Sequence, residues 1–351
     1  MDIYEALYLS VRSGASDVHI TGGRPVMLRI DGELRELNDR VLKPADTQAL
    51  IMPLLSDKQK ADLDEIGEID FSYSLQQTGR FRLNVFKQRG SYAATLRLLA
   101  FSIPTPQQLS LPRAVIEMAQ KKRGLVLVTG PTGSGKSTTL ASLIELINQV
   151  KACHIITLED PIEYLHRSRK AIVNQREIGL DTQSYANALR AALRQDPDVI
   201  LLGEMRDLDT ISTAITAAET GHLVFSTLHT MGAAETIDRI IDVFPPHQQE
   251  QIKVQLAGVL EGVVSQALLP VDGPEGGRCA AFEVMVSNGA IKNLIREGKT
   301  FQIASMIQTG RKAGMITLDD ALYELYMQRK ITAETAFEFA KDSAYLSRKI
   351  Y

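Results

Sequence analysis

The chain has 351 residues, room for two globular domains of ordinary size. Its 39 Lys+Arg against 42 Asp+Glu give a formal net charge of −3, which excludes a protein that coats nucleic acid or an anionic membrane with its whole surface. A hydrophobic fraction of 44% and a charged fraction of 23% exclude disorder, collagen-like repeats and low complexity as the main reading. Cys153 and Cys279 are too few for a four-cysteine zinc ribbon or a disulfide framework. The opening Met1-Asp2-Ile3-Tyr4-Glu5 lacks a basic segment, so no secretory signal is expected. The most apolar long segment, Val254 to Pro270, is interrupted by Gln255, Glu261, Ser265 and Gln266, a pattern that predicts an amphipathic helix rather than a membrane span. A soluble protein of a reducing compartment is expected.

Residues 3–14 read as a short helix with Ile3, Leu7 and Val11 on one stripe. Residues 17–20 and 26–30 alternate like strands, Asp31-Gly32 is a hairpin-turn dipeptide, and residues 33–37 form the return strand. Pro44 to Asp64 reads as helical, and three alternating strands follow over 69–73, 81–86 and 92–98. The pattern predicts an α+β domain over residues 1–100, built on a mostly antiparallel sheet. Pro104, Pro106 and Pro112 make residues 101–113 a linker, because each disfavours helix at itself and at the residue before it.

Beyond the linker the pattern becomes strand–loop–helix. Residues 124–129, 152–158, 199–202 and 223–227 are apolar runs, as expected for parallel strands buried on both faces. Tyr185, Ala188, Leu189, Ala192 and Leu193 keep helical spacing until Asp196-Pro197-Asp198 stops the helix. A doubly wound α/β domain is expected over 114–289, and a helical region over 290–351.

The sharpest chemical signal is Gly130-Pro131-Thr132-Gly133-Ser134-Gly135-Lys136-Ser137-Thr138, which matches G-x4-G-K-[ST] with a buried strand before it and a helix after it. The glycines let successive backbone N–H groups converge on phosphate oxygens, and the helix N-terminus adds positive potential. Lys136 would reach the β/γ-phosphates of a nucleoside triphosphate, and the Ser137 hydroxyl would ligate Mg²⁺.

Hydrolysis needs carboxylates at neighbouring strand ends. Val199-Ile200-Leu201-Leu202-Gly203-Glu204 has the Walker B pattern, with Glu204 at the carboxyl end of its strand. The run Thr157-Leu158-Glu159-Asp160-Pro161-Ile162-Glu163-Tyr164 places three carboxylates after another buried strand. Spacing alone does not say which of them is the base. His222 and His229 bracket the strand 223–228, and an extended strand points them to opposite faces, so a shared metal is not expected. His229 at the carboxyl end could hydrogen-bond a γ-phosphate, whereas His222 also fits a structural role. Arg80, Arg82 and Arg97 lie on strands of the first domain, with Arg80 and Arg82 on one face. They fit either a solvated basic face or arginine fingers acting across a domain or subunit boundary.

The Walker A run, Ile156-Thr157-Leu158-Glu159-Asp160-Pro161-Ile162-Glu163-Tyr164, the segment 196–207 and the segment 220–230 together resemble the secretion ATPase superfamily of type II and type IV secretion and type IV pili. In that superfamily's terms the later three are the Asp box, Walker B and His box. Ser16-Asp17-Val18-His19 and Arg80-Phe81-Arg82 resemble parts of its PAS-like N-terminal domain, so the resemblance covers nearly the whole chain. Residues 290–297, AIKNLIRE, resemble the AIRNLIRE motif of the group that retracts type IV pili in twitching motility. Lys292 stands where the motif has Arg, which keeps the charge and loses bidentate hydrogen bonding.

The resemblance implies a RecA-like P-loop motor, assembled as a homohexamer, that hydrolyses ATP with Mg²⁺. It implies Glu163 as the residue that activates water and Glu204 as the acid on the Mg²⁺ side. It further implies His222 and His229 in the His box, with Arg80, Arg82 and Arg97 completing the site. An inner-membrane platform protein, and a paralogous retraction ATPase, are the implied partners of a cytoplasmic motor that docks at the membrane without inserting into it. Pilus-assembly relatives carry a four-cysteine zinc element and a longer N-terminal region, which disfavours that alternative. An accessory nucleotide-binding ring subunit is disfavoured by the presence of Lys136, Glu163 and Glu204 together. The charge balance and the lack of an aromatic-interleaved basic run predict no nucleic-acid partner.

Overall fold

Alternating apolar and polar positions over residues 17–98 build a sheet with one dry and one polar face. The computed structural model describes residues 1–75, 78–99, 102–273 and 276–351. Ala100 and Phe101, where the sequence ends the first domain and begins the linker, lie outside the described residues. Contacts divide the chain into two compact units, Met1–Ser102 with Pro161–Leu165, and Ile103–Asp160 with His166–Tyr351.

The first unit opens with α1 (Ile3–Arg12), capped by the Asp2 carboxylate, which accepts from the Glu5 amide at 2.8 Å. Then come β1 (Asp17–Ile20), β2 (Met27–Ile30), β3 (Glu33–Glu36), α2 (Pro44–Ile51), α3 (Asp57–Ile66), β4 (Glu68–Leu75), β5 (Gly79–Gln88) and β6 (Ser91–Leu98). The strands form one antiparallel sheet in the order β3-β2-β1-β6-β5-β4. Asp31 and Gly32 both have positive φ, 52° and 84°, the backbone of a primed hairpin turn. Val18, Ile20, Phe81, Leu83, Val85 and Leu96 pack with Ile3, Leu7, Leu50, Ile51 and Leu63 of the helices. The stretch expected to be helical from Pro44 to Asp64 is interrupted. Pro53 lies in a 3₁₀ turn over Met52–Leu54, Leu55 is extended, and Ser56 starts a fresh helix through a reciprocal capping box with Gln59.

The second unit runs α4 (Arg113–Met118), β7 (Gly124–Thr129), α5 (Lys136–Val150), β8 (His154–Glu159), β9 (Ile172–Glu177), α6 (Tyr185–Ala192), β10 (Val199–Leu202), α7 (Leu208–Glu219), β11 (Leu223–Leu228), α8 (Ala233–Asp242), α9 (Pro246–Val259), β12 (Leu260–Pro270) and β13 (Arg278–Val286). The tail is α10 (Gly289–Arg296), α11 (Ile303–Thr309), α12 (Leu318–Met327), α13 (Ala333–Glu338) and α14 (Ser343–Ile350). The sheet order is β13-β12-β7-β11-β10-β8-β9, parallel except for the β12–β13 pair. Both faces of β7, β8, β10 and β11 are dry, which is why these strands read as unbroken apolar runs, whereas the edge strand β9 is largely polar and partly exposed. Leu125 and Leu127 of β7 face a cluster with α6 to α11, while Val126 and Val128 face α4 and α5. The tail helices pack a further cluster against Ala267, Leu269 and Ala281 of β12 and β13.

The helix expected over Val254–Pro270 is corrected. α9 ends at Val259, and Leu260–Pro270 is a strand between β7 and β13. Residues Gly262 to Ala267 are consecutively buried, which a helix with one apolar stripe cannot achieve and a central strand requires. A Cβ at Gly262 would displace the flexible end of the Met118 side chain and lie 3.0 Å from the Met285 carbonyl oxygen, so β12 is closely packed there. Among the described residues no helix is long and apolar enough to cross a membrane.

Candidate active site

The carboxyl ends of β7, β8, β10 and β11 lie along one edge of the parallel sheet, where open α/β sheets bind ligands. The loop after β7 leads directly into α5. Gly130, Gly133 and Gly135 have φ of 140°, 82° and 88°, a backbone that residues with a Cβ rarely adopt. A Cβ at Gly130 would collide with the Gln266 carbonyl oxygen, and one at Gly135 would sit 2.8 Å from Gln266 Nε2. Pro131, Thr132, Gly133 and Ser137 are exposed, Thr138 is half-buried, and Ser134 and Lys136 are buried. Lys136 Nζ donates to the carbonyls of Gly130 at 2.7 Å and Pro131 at 3.0 Å, so the cation is held against the concave loop. Ser134 Oγ is buried and has no hydrogen-bond partner among the described residues. A left-handed glycine backbone, a retained lysine and an orphan hydroxyl together fit a phosphate chain.

Glu204 follows β10 and His229 follows β11. Glu204 Oε1 accepts from Arg206 Nε at 2.6 Å and lies 3.2 Å from His229 Nε2. The strand end is pinned as well, since Thr227 Oγ1 donates to Gly203 O at 2.6 Å and the Met205 amide donates to Thr227 O at 3.2 Å. Tyr185 of α6 reaches the same place, with its hydroxyl 2.7 Å from where a Gly203 Cβ would be. Burial, then the charges of Asp160, Glu204 and Glu159, push its phenol well above its ordinary value, with Arg206 opposing them. At the end of β8, Glu159 Oε1 accepts from Thr157 Oγ1 at 2.6 Å and from Gln175 Nε2 at 3.2 Å.

The loop after His229 is fastened to the far strands. The Gly232 amide donates to Ser265 Oγ and the Ala233 amide to Glu283 Oε1, each at 2.8 Å. Lys341 from the tail lies 3.4 Å from Glu283 and 3.5 Å from Glu235. His222, in contrast, precedes β11 and stands at the opposite edge of the sheet, about 20 Å away along a six-residue strand. Its Nδ1 is 2.9 Å from Ala217 O, a contact that closes the end of α7. The structure therefore does not bring His222 to the phosphate loop of its own chain.

The arginines lie in the first unit. Arg82 of β5 is directly opposite Arg97 of β6, which is opposite Asp17 of β1, which is opposite Arg29 of β2. Cross-strand partners share a face, so this is one row of three arginines and one aspartate, with the like charges Arg82 and Arg97 side by side and Asp17 between Arg97 and Arg29. Arg97 Nε donates to Asp17 Oδ1 at 2.9 Å, and Arg82 Nε is 3.8 Å from Asp70. Burial alone would raise the Asp17 carboxyl, but the hydrogen bonds from Arg97 and Ser16 hold it below its ordinary value. Arg80 donates to Ser74 Oγ at 2.9 Å and, through Nε, to the Ile162 carbonyl at 3.2 Å. Arg80 is thus joined to the segment that carries the exposed Glu163. Lys136, Ser137, Glu204 and His229 belong to the second unit.

Sequence reasoning missed Gln266, Arg206 and Tyr185. Gln266 left a trace as the amide in the apolar run Val263-Val264-Ser265-Gln266-Ala267-Leu268-Leu269, but the helical reading of that segment hid its position.

A family model described as type II/IV secretion system protein matches residues 3–337. The type IV pilus retractation ATPase PilT of Pseudomonas aeruginosa is 49% identical over 341 residues, covering 97% of this chain and 98% of its own length. The type IV pilus ATPase PilU of the same organism is 40% identical, covering 98% of this chain and 90% of its own length. A crystal structure of the pilus retraction motor PilT with bound ADP superposes with a TM-score of 0.93 at 52% identity, covering 99% of both chains. The family model alone spans most of the chain, and this chain belongs to the type II/IV secretion system protein family.

Proposed function

We propose that this chain is an ATP-hydrolysing motor that drives type IV pilus retraction. The observation that carries the reading is the phosphate cradle at residues 130–138, built on a chain similar along nearly its whole length to a pilus retraction ATPase. Gly130 to Gly135 would wrap the β-phosphate with backbone N–H groups, and Lys136 would leave the carbonyls of Gly130 and Pro131 for the β/γ-phosphate oxygens. Ser137 and Glu204 supply the hard oxygen donors that suit Mg²⁺, which when bound neutralises the phosphate charge that develops in phosphoryl transfer. His229 and Arg206 orient the Glu204 carboxylate.

Glu163 is the proposed base for the attacking water, and Arg80, Arg82 and Arg97 the proposed stabilisers of transition-state charge. We assign His222 to the folded core of the His box. The proposed functional division keeps the PAS-like α+β N-terminal domain at 1–100, a linker at 101–113, the motor at 114–289 and the helical region at 290–351. The motor would act in the cytoplasm as a homohexamer on an inner-membrane platform protein, alongside a paralogous ATPase, with loss of the γ-phosphate changing the shape of the ring.

The test is genetic and enzymatic. Cells lacking the gene should carry abundant but static pili, and the purified protein should turn over ATP far faster than its Glu163→Gln variant. Loss of pili on deletion would refute retraction, and equal turnover of the two proteins would refute hydrolysis by this site.

A further inference from the structure

We propose that Gln266 is the positioning residue that holds the phosphate loop in its nucleotide-accepting shape. The inference rests on the phosphate-binding reading of residues 130–138. Gln266 lies on β12, the strand hydrogen-bonded to β7, and is 4% exposed. Its Nε2 donates to the Ser134 carbonyl at 2.6 Å, and its Oε1 accepts from Thr139 Oγ1 on α5 at 2.8 Å. A carbonyl can only accept, so the NH₂ end must face Ser134, and the hydroxyl donates to the other end. Both ends of the amide are therefore used, in a place where an unpaired polar atom is costly.

The consequence follows from the peptide bond. In a trans peptide the C=O and the next N–H point in opposite directions. With the Ser134 oxygen drawn toward β12, the Gly135 N–H faces away from it. The same bond removes one carbonyl oxygen, a partial negative charge, from the surface meant for phosphate. The close approach also accounts for two of the motif's glycines. A Cβ at Gly130 would strike the Gln266 backbone oxygen, and one at Gly135 would sit 2.8 Å from Gln266 Nε2. These positions thus need glycine for contact with β12 as well as for contact with phosphate. Thr139 completes the frame by tying the first turns of α5 to the same amide.

Three variants test this in the full-length protein: Gln266→Met, which keeps volume and loses both hydrogen bonds; Thr139→Val, which loses only one; and Lys136→Ala. ATP turnover is measured against ATP concentration, with melting of the nucleotide-free protein as a check on folding. For Gln266→Met the expected result is a rise in KM of about tenfold or more with kcat within about threefold of wild type. Thr139→Val should raise KM by about threefold. A purely structural glutamine would lower the melting temperature and leave KM alone, and that result would overturn the proposal. Should Gln266→Met fail to fold, Thr139→Val decides by itself, and an unchanged KM there overturns the positioning role. Failure of the underlying reading looks different, because wild type would then turn over ATP no faster than Lys136→Ala.

Discussion

His229 and Glu204 stand at the carboxyl ends of adjacent parallel strands, with the imidazole Nε2 3.2 Å from the carboxylate Oε1. The same oxygen also accepts from Arg206. Arg206 and His229 therefore converge on one carboxylate oxygen of Glu204, a contact that joins residues 25 positions apart in the sequence.

If His229 acts by orienting Glu204, His229→Ala should lower kcat by roughly 10- to 100-fold while leaving KM for ATP within about threefold. The nucleotide-free melting temperature should stay near that of wild type, since the imidazole is exposed. A phosphate-release assay across ATP concentrations separates the two parameters.

Lys136→Ala should abolish measurable hydrolysis, a loss on the order of 10² or more, because no other cation in the loop can follow the γ-phosphate. Chelation of divalent cations should have the same effect on wild-type turnover. Neither change should lower the stability of the nucleotide-free protein much, and differential scanning fluorimetry checks that.

Arg80 donates to the Ile162 carbonyl, one residue before Glu163. As a stabiliser of transition-state charge, Arg80 should slow turnover when replaced by Ala, and in the double variant with Glu163→Gln the two losses should multiply. A double variant no slower than Glu163→Gln alone would instead mean that Arg80 acts only by holding the Glu163 segment through the Ile162 carbonyl.

Asp320 fastens the C-terminal helix. It is buried, accepts from Tyr345 Oη at 2.9 Å, pairs with Lys349, and lies 3.6 Å from Arg311. Burial alone would raise its pKa, but the hydrogen bonds from Lys349 and Tyr345, with the Lys349 and Arg311 charges, outweigh burial and hold it below its ordinary value. A carboxyl with a depressed folded-state pKa contributes stability that is complete above its unfolded value, and that stability is lost as pH falls through the folded value. Asp320→Asn should therefore loosen α14 at neutral pH by about 2–3 kcal/mol, and wild type should approach that behaviour only in strong acid. Proteolysis of the C-terminus as a function of pH reads both effects.

The glycine-rich loop, the Walker B strand and the alternation of the first hundred residues were legible because each is a local pattern, governed by φ preference or by strand periodicity. The resemblance of AIKNLIRE to a retraction motif was legible for the same reason. What the sequence determined by itself is an α/β unit carrying a glycine-rich phosphate-loop pattern after an α+β unit; it put forward Lys136 and Glu204 as candidates, while the choice of Glu163 and the role of the arginines came from the resemblance alone. Which groups meet was decided by tertiary structure. Gln266 is 132 residues from Ser134, yet the β7–β12 pairing puts its amide on the loop carbonyl. The segment Val254–Pro270 mixes a helix end with a strand buried on both faces, and periodicity cannot separate the two until neighbouring strands are in place. His222 and His229 bracket one strand, and the direction of β11 in the sheet puts His229 at the carboxyl edge beside Glu204 and His222 at the opposite edge. Short-range patterns are set by the backbone's own preferences, whereas the pairing of distant polar groups is set by how the strands order themselves in the sheet.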